Sequence, residues 1–440
     1  MATASPQLPP ARQTAAAAGP KPTAQQFWTR WGSDILGPLM AHSGSYTPEQ
    51  MAVHLKFWEQ HVVPTLGPLP SEPRNTYTQT YVDSPLEPSL NLTSSGKVKV
   101  RYGIEVVKPY GCEHGEDPFG EHRAREVLPA LARACGADLQ WINSAMDAFF
   151  LTKEETEAMR GKLPTFMPSA LLAFDMEGDK TMMKIYIIGM RKAIASGLPS
   201  TNHFILGALR KLNPLGEQLA PGLNTVAEYL STTKHHVMLI FVGIDCVDPT
   251  VEKGARVKVY LHTSSNAFEV VRDVMTLGGR LTDESALKRV EILRDLWPLL
   301  RNEKPGEGPD PVAEPEAWEA WHKTDRLTGT PLSGLQYNVE ICPNKPDLET
   351  KCYVPLFQHT SNAAESEVAM EKVLDRLGHE WGSNTSKYRH CVAAAFGPHR
   401  VSPTFVSFSY SKKKGVYMSS YLPGVLNAGS EIEAGDWEYK

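Results

Sequence analysis

Several features that mark other protein classes are missing from this chain of 440 residues. Its six cysteines are scattered without CxxC spacing, which argues against a disulfide framework or a zinc site and favours reduced thiols in a cytoplasmic protein. Its longest unbroken apolar run, 237–244, is far shorter than the roughly 20 residues that a membrane-spanning helix needs. Because 45 Lys and Arg residues nearly balance 50 Asp and Glu residues, we expect no nucleic-acid or membrane partner.

The two ends of the chain lack the patterns of folded segments. Residues 1–24 are rich in Ala, Pro, Gln and Ser and have no apolar core of the kind that a secretory signal requires. We therefore predict a disordered leader over 1–24, a single domain over 25–425 and a short tail over 426–440.

The middle of the chain contains five pairs of segments in which apolar and polar residues alternate. Each pair is joined by a polar or glycine-containing turn, which is the pattern of a β-hairpin, so ten strands are expected. The predicted hairpins are 87–93 with 97–106, 171–176 with 181–190, 236–246 with 256–262, 335–342 with 351–356, and 404–410 with 416–422.

Amphipathic segments between the hairpins predict helices. One begins at Pro48, after a capping box that starts at Thr47, and the 282–300 segment has Thr282 as its expected cap. The remaining predicted helices cover 122–135, 201–213 and 364–377.

The second strand of each hairpin carries cations and phenols on one face and aliphatic residues on the other. In one of them Lys184 and Tyr186 alternate with Ile185 and Ile187. An open sheet with solvated cations would explain any single strand. Five strands with the same pattern favour an α+β fold, in which a closed ten-stranded antiparallel β-barrel has a polar interior and an outer ring of helices.

A ring of Lys and Arg inside a barrel is suited to a multiply charged anion such as a diphosphate, because each charge-assisted hydrogen bond contributes about 1.5 to 3 kcal/mol. Phosphate-binding motifs of the GxxxxGK and GxGxxG types are absent, as is the DDxxD motif that holds a metal in much diphosphate chemistry. The interleaved tyrosines are suited to shielding a carbocation. These residues predict ionisation of an allylic diphosphate without a metal or other cofactor.

An ordered set of short motifs resembles the fungal indole prenyltransferases of the dimethylallyltryptophan synthase type, over about residues 25–425. The set consists of Glu87-Pro88-Ser89-Leu90-Asn91, Arg101, Lys184-Ile185-Tyr186, Arg256-Val257-Lys258-Val259-Tyr260, Thr276-Leu277-Gly278-Gly279, Lys351-Cys352-Tyr353-Val354-Pro355 and Val416-Tyr417-Met418-Ser419-Ser420-Tyr421. The resemblance implies the αββα prenyltransferase barrel, a metal-independent reaction and dimethylallyl diphosphate as donor.

The resemblance also implies roles for single residues. Glu87 would orient and activate the acceptor as the catalytic residue. The diphosphate would be held by Arg101, Lys184, Arg256, Lys258 and Lys351. The cation shield, with hydroxyls reaching the diphosphate, would be Tyr186, Tyr260, Tyr353, Tyr417 and Tyr421.

The chain departs from the family's tryptophan-prenylating members at four positions. Leu171, Ile188 and Ile240 stand where those members have a lysine, a tyrosine and an arginine, and Lys351 stands where many members have glutamine. The first three changes predict a more apolar acceptor pocket, which favours an indole alkaloid or an indole-containing cyclic dipeptide over free tryptophan.

Two alternatives stay open at this point: a phenolic or xanthone-type acceptor, and a noncatalytic barrel that binds an anionic small molecule. The expected partners are dimethylallyl diphosphate and an aromatic small molecule, and the protein is expected to be a monomer or a homodimer.

Overall fold

The computed structural model describes residues 22–67, 69, 84–105, 117–163, 168–198, 200–251, 255–303 and 334–425. Its centre is a closed barrel of ten antiparallel strands that pair in chain order, and β1 pairs with β10 to close the ring. The strands are β1 Leu86–Thr93, β2 Val98–Glu105, β3 Ala170–Glu177, β4 Lys180–Ile187, β5 Met238–Asp245, β6 Val257–Thr263, β7 Leu335–Ile341, β8 Glu349–Val354, β9 Phe405–Ser411 and β10 Gly415–Tyr421. All five predicted hairpins are confirmed.

Helices surround the barrel. The α-helices in the described residues are α1 Ala24–Ser43, α2 Pro48–Phe57, α3 Glu121–Ala134, α4 Gln140–Phe149, α5 Lys153–Met159, α6 Met190–Ala195, α7 Thr201–Arg210, α8 Ala220–Thr232, α9 Phe268–Met275, α10 Glu284–Leu300, α11 Ala363–Arg376 and α12 Lys387–Phe396. Several of them lie against its outer face: α1 contacts β1 and β2, α4 contacts β4, α7 contacts β5, α9 contacts β8, and α10 contacts β9. No helix in this part of the chain is both long enough and apolar enough to cross a membrane.

The apolar and the charged side chains lie on opposite faces of the strands, as the alternation predicts. On β2 the aliphatic side chains of Val98, Val100 and Ile104 are fully buried under the helices. The intervening Arg101 faces the interior, where it meets Asp175 of β3. The helical ring therefore covers the apolar face, and the charged and phenolic face lines the barrel.

Helix α1 was not predicted, although it is one of the longest elements of the fold. It begins inside the predicted leader: Thr23 accepts a hydrogen bond from Gln26 in a capping box, and Ala24 is the first helical residue. A Cβ atom on Gly32 would lie 2.1 Å from the Trp58 side chain, so only glycine allows this contact between α1 and the turn that follows α2. The rest of the leader and the predicted tail lie outside the described residues.

Some of the predicted boundaries were wrong. Strand β4 was expected to reach residue 190, but it ends at Ile187, and Met190 begins α6. Helix α10 is capped by Asp283, whose side chain accepts the Ala286 N–H at 3.0 Å, and not by Thr282. The helices α4, α5, α6, α8, α9 and α12 were also missed. All of them except α8 have ten residues or fewer, and such short segments give a weak periodic signal.

Candidate active site

The five cations predicted to hold a diphosphate all lie in or beside strands β2, β4, β6 and β8, and four of them are paired with carboxylates. Arg101 Nε lies 3.0 Å from Asp175 Oδ1, and Lys184 binds the other oxygen of the same carboxylate. Arg256 bridges Asp245 at 2.8 Å and Glu340 at 2.7 Å. The structure thus brings the predicted cations together, but it places three acids among them.

These acids were missed by the sequence analysis. Burial alone would raise their pKa values, but the neighbouring cations outweigh burial and hold the pKa of Asp175, Asp245 and Glu340 below the usual range. Asp175 could have been found, because it lies four residues after Leu171 and so shares its strand face. When all eight side chains are ionised, two positive charges stay uncompensated, which leaves the site attractive to an anion.

Asn91 on β1 links two of the predicted residues. In the amide orientation that satisfies both of its polar atoms, its oxygen accepts from Arg101 at 2.6 and 2.8 Å, and its nitrogen donates to the Tyr417 hydroxyl at 2.8 Å. The Arg101 guanidinium also lies 5.7 Å from the centroid of the Tyr417 ring. Asn91 therefore holds Arg101 and Tyr417 side by side, so Tyr417 lies with the cations and not with the other tyrosines.

The other four predicted tyrosines form a continuous aromatic belt, which also includes two phenylalanines. Tyr186, Tyr260, Tyr353 and Tyr421 follow one another with ring centroids 5.8 to 5.9 Å apart. The remaining belt members are Phe241, which stacks on Tyr260 at 4.2 Å, and Phe405, which meets Tyr353 edge-on at 6.3 Å.

A buried amide orders the centre of this belt. Asn338 Nδ2 lies 2.9 Å from the Tyr353 hydroxyl and 3.3 Å from the Tyr260 hydroxyl, and Asn338 is only 1% exposed. The two hydroxyls are 3.5 Å apart. Because the amide donates to both phenols, their ring planes are held in fixed positions around the interior.

A β-bulge in β5 explains why Phe241 was missed. The register with β6 shifts between Leu239 and Phe241, so the extra residue Ile240 and the next residue Phe241 both face the interior. Strict alternation would put Ile240 and Asp245 on opposite faces, since they are an odd number of residues apart. The bulge brings both of them inside.

The residues predicted for the acceptor side lie next to the aromatic belt. Ile240 belongs to the same apolar cluster as Tyr260 and Tyr353. Leu171 pairs across strands with Tyr186, and Ile188 follows Tyr186 by two residues, with its N–H bonded to the carbonyl of Ser169 at 3.0 Å.

Two carboxylates face this end of the interior. Glu87 on β1 pairs with Gly103, and its charge contributes to raising the pKa of Tyr421, an effect that is secondary to burial. Glu105, which was not predicted, pairs with Leu171 and is 3% exposed. The predicted base therefore lies beside the belt, and a second acid lies beside the predicted apolar pocket.

The interior consequently has a cationic part and an aromatic part that adjoin through Arg101, Tyr417 and Tyr421. Among the residues described, no group of three or more His, Cys, Asp or Glu side chains could hold a metal ion. A cationic site beside an aromatic enclosure is the arrangement expected of an enzyme that moves a prenyl group from a diphosphate.

Comparisons with known proteins agree with this class. Residues 24–391 match the family model for tryptophan dimethylallyltransferase, and the chain belongs to this family. It is 44% identical to the indole prenyltransferase tdiB of Emericella nidulans, over 95% of this chain and 100% of that protein. It is also 34% identical to the indole diterpene prenyltransferase terF of Tolypocladium album, over 93% of this chain and 95% of that protein.

Solved structures share the fold. The crystal structure of AnaPT from Neosartorya fischeri superposes with a TM-score of 0.71 at 24% identity, covering 90% of this chain and 93% of that one. A structure of NotF with brevianamide F and DMSPP has a TM-score of 0.71 at 20% identity, covering 94% of this chain and 98% of that one. The predicted family, the αββα barrel and the activity of aromatic prenyl transfer are confirmed. Because the chain belongs to an enzyme family, the alternative of a noncatalytic barrel that binds an anionic small molecule is excluded.

Proposed function

We propose that this prenyltransferase moves a dimethylallyl group from dimethylallyl diphosphate to an indole-containing cyclic dipeptide or indole alkaloid. The single observation that carries this proposal is the junction of the cation cluster with the aromatic belt inside one barrel. The cations would stabilise the leaving diphosphate while the belt shields the allylic cation from water.

The chemistry would divide between the two ends of the interior. Arg101, Lys184, Arg256, Lys258 and Lys351 would bind the diphosphate and stabilise the charge that develops as its bond to the allylic carbon breaks. The belt tyrosines would stabilise the cation through their ring faces. The acceptor ring would then attack the allylic carbon, and its proton would leave to Glu87 or to water.

The acceptor is proposed from the apolar residues beside the belt. Leu171, Ile188 and Ile240 offer no charge for an amino-acid carboxylate, and burying that charge without a partner would cost several kcal/mol. A neutral indole derivative suits this wall better than free tryptophan. A phenolic acceptor would meet the same wall, so it is the alternative that the assay must test.

We further propose that the five cations do the work that a metal does in related diphosphate chemistry, and that no cofactor is needed. Residues 25–425 would form one domain, since strands from both ends of this range close the barrel. The balanced charge and the unpaired cysteines of the described residues support a cytoplasmic enzyme, active as a monomer or homodimer, without a nucleic-acid or membrane partner.

The test is a product assay with dimethylallyl diphosphate and a panel of tryptophan-containing cyclic dipeptides, free tryptophan and phenols, with products identified by mass spectrometry. A neutral indole acceptor should give the highest kcat/KM, and activity should persist in excess EDTA. Comparable kcat/KM for free tryptophan would contradict the proposed pocket. A complete, metal-reversible loss of activity in EDTA would contradict the role of the cations.

Two variants separate the donor and acceptor sides. Glu87→Gln keeps the shape but removes the charge, so turnover should fall by about 10² to 10⁴ while donor affinity stays near the wild-type value. Lys258→Ala should do the reverse, weakening donor binding roughly tenfold to a hundredfold. Calorimetry measures donor affinity, and circular dichroism confirms folding. Near-wild-type turnover of the Glu87→Gln variant would show that Glu87 has no catalytic role.

A further inference from the structure

Lys351 differs from the other four cations of the site. Arg101, Lys184, Arg256 and Lys258 each have a carboxylate oxygen within 3.4 Å. For Lys351 the described residues offer no carboxylate at ion-pair distance and no hydrogen-bond acceptor. Its amine instead lies 4.1 Å from the centroid of the Tyr417 ring.

The charged and titratable groups around Lys351 lie on or beside β2, β6, β7 and β10 and on its own strand, β8. Glu340 on β7 favours the ammonium form, but this carboxylate is already bound by Arg256. Arg101 on β2, together with Arg256 and Lys258 on the β6 side, repels it. On its own strand, Glu349 faces Lys414 at 3.8 Å, and the phenol of Tyr417 on β10 offers only its ring.

Burial and these repulsions act in the same direction. Burial is the largest cause that lowers the pKa of Lys351, the three cations lower it further, and the attraction of Glu340 does not compensate. The other four cations keep their carboxylate partners. Lys351 is thus the member of the site whose ammonium form the protein's own side chains stabilise least.

A bound diphosphate would reverse this balance. Its negative oxygens would supply the partner that the empty site does not provide, and they would also offset the repulsion from Arg101 and Lys258. We propose that Lys351 takes up a proton when the prenyl diphosphate binds, so that donor binding is coupled to protonation of the enzyme. This inference rests on the proposed diphosphate site.

The proton balance is simple: the neutral amine of Lys351 receives one proton from solvent or buffer, and no covalent bond changes. Uptake should occur between the pKa of Lys351 in the empty enzyme and its higher pKa in the complex. Within that window donor affinity should fall as pH rises, by up to about tenfold per pH unit. Below the window Lys351 is already charged, so uptake and pH dependence should vanish.

The experiment is isothermal titration calorimetry with dimethylallyl thiolodiphosphate. This analogue binds like the donor, but the bond between its allylic carbon and the leaving group breaks poorly. Titrations at pH 8 and above avoid protonation of the ligand, since phosphate groups lose their last proton near pH 6. Each titration is repeated in Tris and in HEPES, which differ in ionisation enthalpy. Proton uptake makes the observed enthalpy less favourable in the buffer whose deprotonation costs more enthalpy.

Three variants isolate the residue. Lys351→Arg keeps a positive charge that does not titrate in this range, so it should bind the analogue with no proton uptake and little pH dependence. Lys351→Gln should bind more weakly and also without uptake. Lys99→Gln is the matched control: Lys99 is an exposed lysine paired with Glu177, and its loss should leave the wild-type uptake intact.

The wild-type enzyme should take up as much as about one proton per donor at the pH of greatest uptake. Binding with the same enthalpy in both buffers at every pH would overturn the proposal. Uptake that persists in Lys351→Arg and Lys351→Gln would also overturn it. If the wild-type enzyme did not bind the analogue at all, that result would instead contradict the proposed diphosphate site, and this inference would fail with it.

Discussion

Asp175 has an unusual position for a residue in an anion-binding site. Its carboxylate is buried and binds both Arg101 and Lys184, two of the cations proposed to hold the diphosphate. We therefore expect the same residue to stabilise the fold and to compete with the proposed diphosphate. A site composed only of cations would bind a diphosphate more strongly, but it would be costly to fold.

This dual role gives the first prediction. Asp175→Asn should lower the free energy of unfolding by about 3 kcal/mol, because buried Lys184 and partly buried Arg101 lose their shared partner. It should also tighten donor binding, because a competing anion is gone. Denaturant unfolding without ligand and calorimetry with the donor measure the two effects.

Glu177→Gln is the matched control for Asp175→Asn. Glu177 pairs with Lys99 at an exposed position on the same strand, so its loss should cost no more than about 1 kcal/mol. If Asp175→Asn weakened donor binding instead, Asp175 would act by positioning Arg101 and Lys184 and not by competing with the donor.

At the scale of the elements, α10 shows how a helix is attached to the barrel. Buried Arg289 donates to the carbonyl of Tyr410 at 3.0 Å and to the Thr350 hydroxyl at 2.9 Å, which joins the helix to β9 and β8. Lys351 follows Thr350 directly in β8. The position of α10 therefore bears on the strand that carries one of the site cations.

The N-terminus of α10 offers a paired test. Asp283→Ala removes the side chain that accepts the Ala286 N–H, so it should lower the free energy of unfolding by about 1 kcal/mol. Thr282→Ala, one residue earlier and also exposed, should change it by less than about 0.5 kcal/mol. Thermal or denaturant unfolding of both variants measures this. Equal effects would mean that Thr282 shares the capping role.

At the scale of the whole molecule, a buried carboxylate connects elements from different parts of the chain. Glu121 at the start of α3 accepts the Leu151 N–H at 2.6 Å and the Ser169 hydroxyl at 3.0 Å, and Arg191 of α6 donates to the same hydroxyl at 2.8 Å. Ser169 directly precedes β3. This cluster therefore joins two helices to the strand that carries Leu171 and Asp175.

Burial raises the pKa of Glu121 from 4.5 to about 7, although Arg191 and the two hydrogen bonds oppose the rise. A raised pKa means that the folded state favours the protonated acid, so this contribution is fully present below pH 4.5 and is lost as the pH rises through about 7. Relative to Glu121→Gln, the wild-type stability should fall by about 3 kcal/mol between those limits.

Unfolding curves of wild type and Glu121→Gln at several pH values test this effect. Glu126→Gln, which changes an exposed acid on the same helix, is the control and should track the wild type at every pH. A constant difference between wild type and Glu121→Gln across the range would show that Glu121 does not titrate with folding.

The sequence alone determined the type of fold and the cationic face of the barrel, because both follow from local alternation. Lys184 and Tyr186 share a face by the two-residue period of a strand, whatever the strand packs against. Five hairpins with that pattern can form a sheet without unpaired edge strands in only a few ways, and closure into a barrel is the one observed. The ordered motifs around those residues then predicted the family.

Only the tertiary structure decided which charges meet and which residues share the interior. Arg256 meets Asp245 across the turn of a single hairpin, but its pairing with Glu340 connects residues 84 positions apart in the chain, and no local pattern encodes that contact. The single extra residue at the Ile240 bulge turns Phe241 and Asp245 toward the interior, and the alternation of the sequence does not predict this change. Lys351 has no carboxylate partner in the described chain because neighbouring cations already hold those acids, a competition that exists only once the barrel has closed.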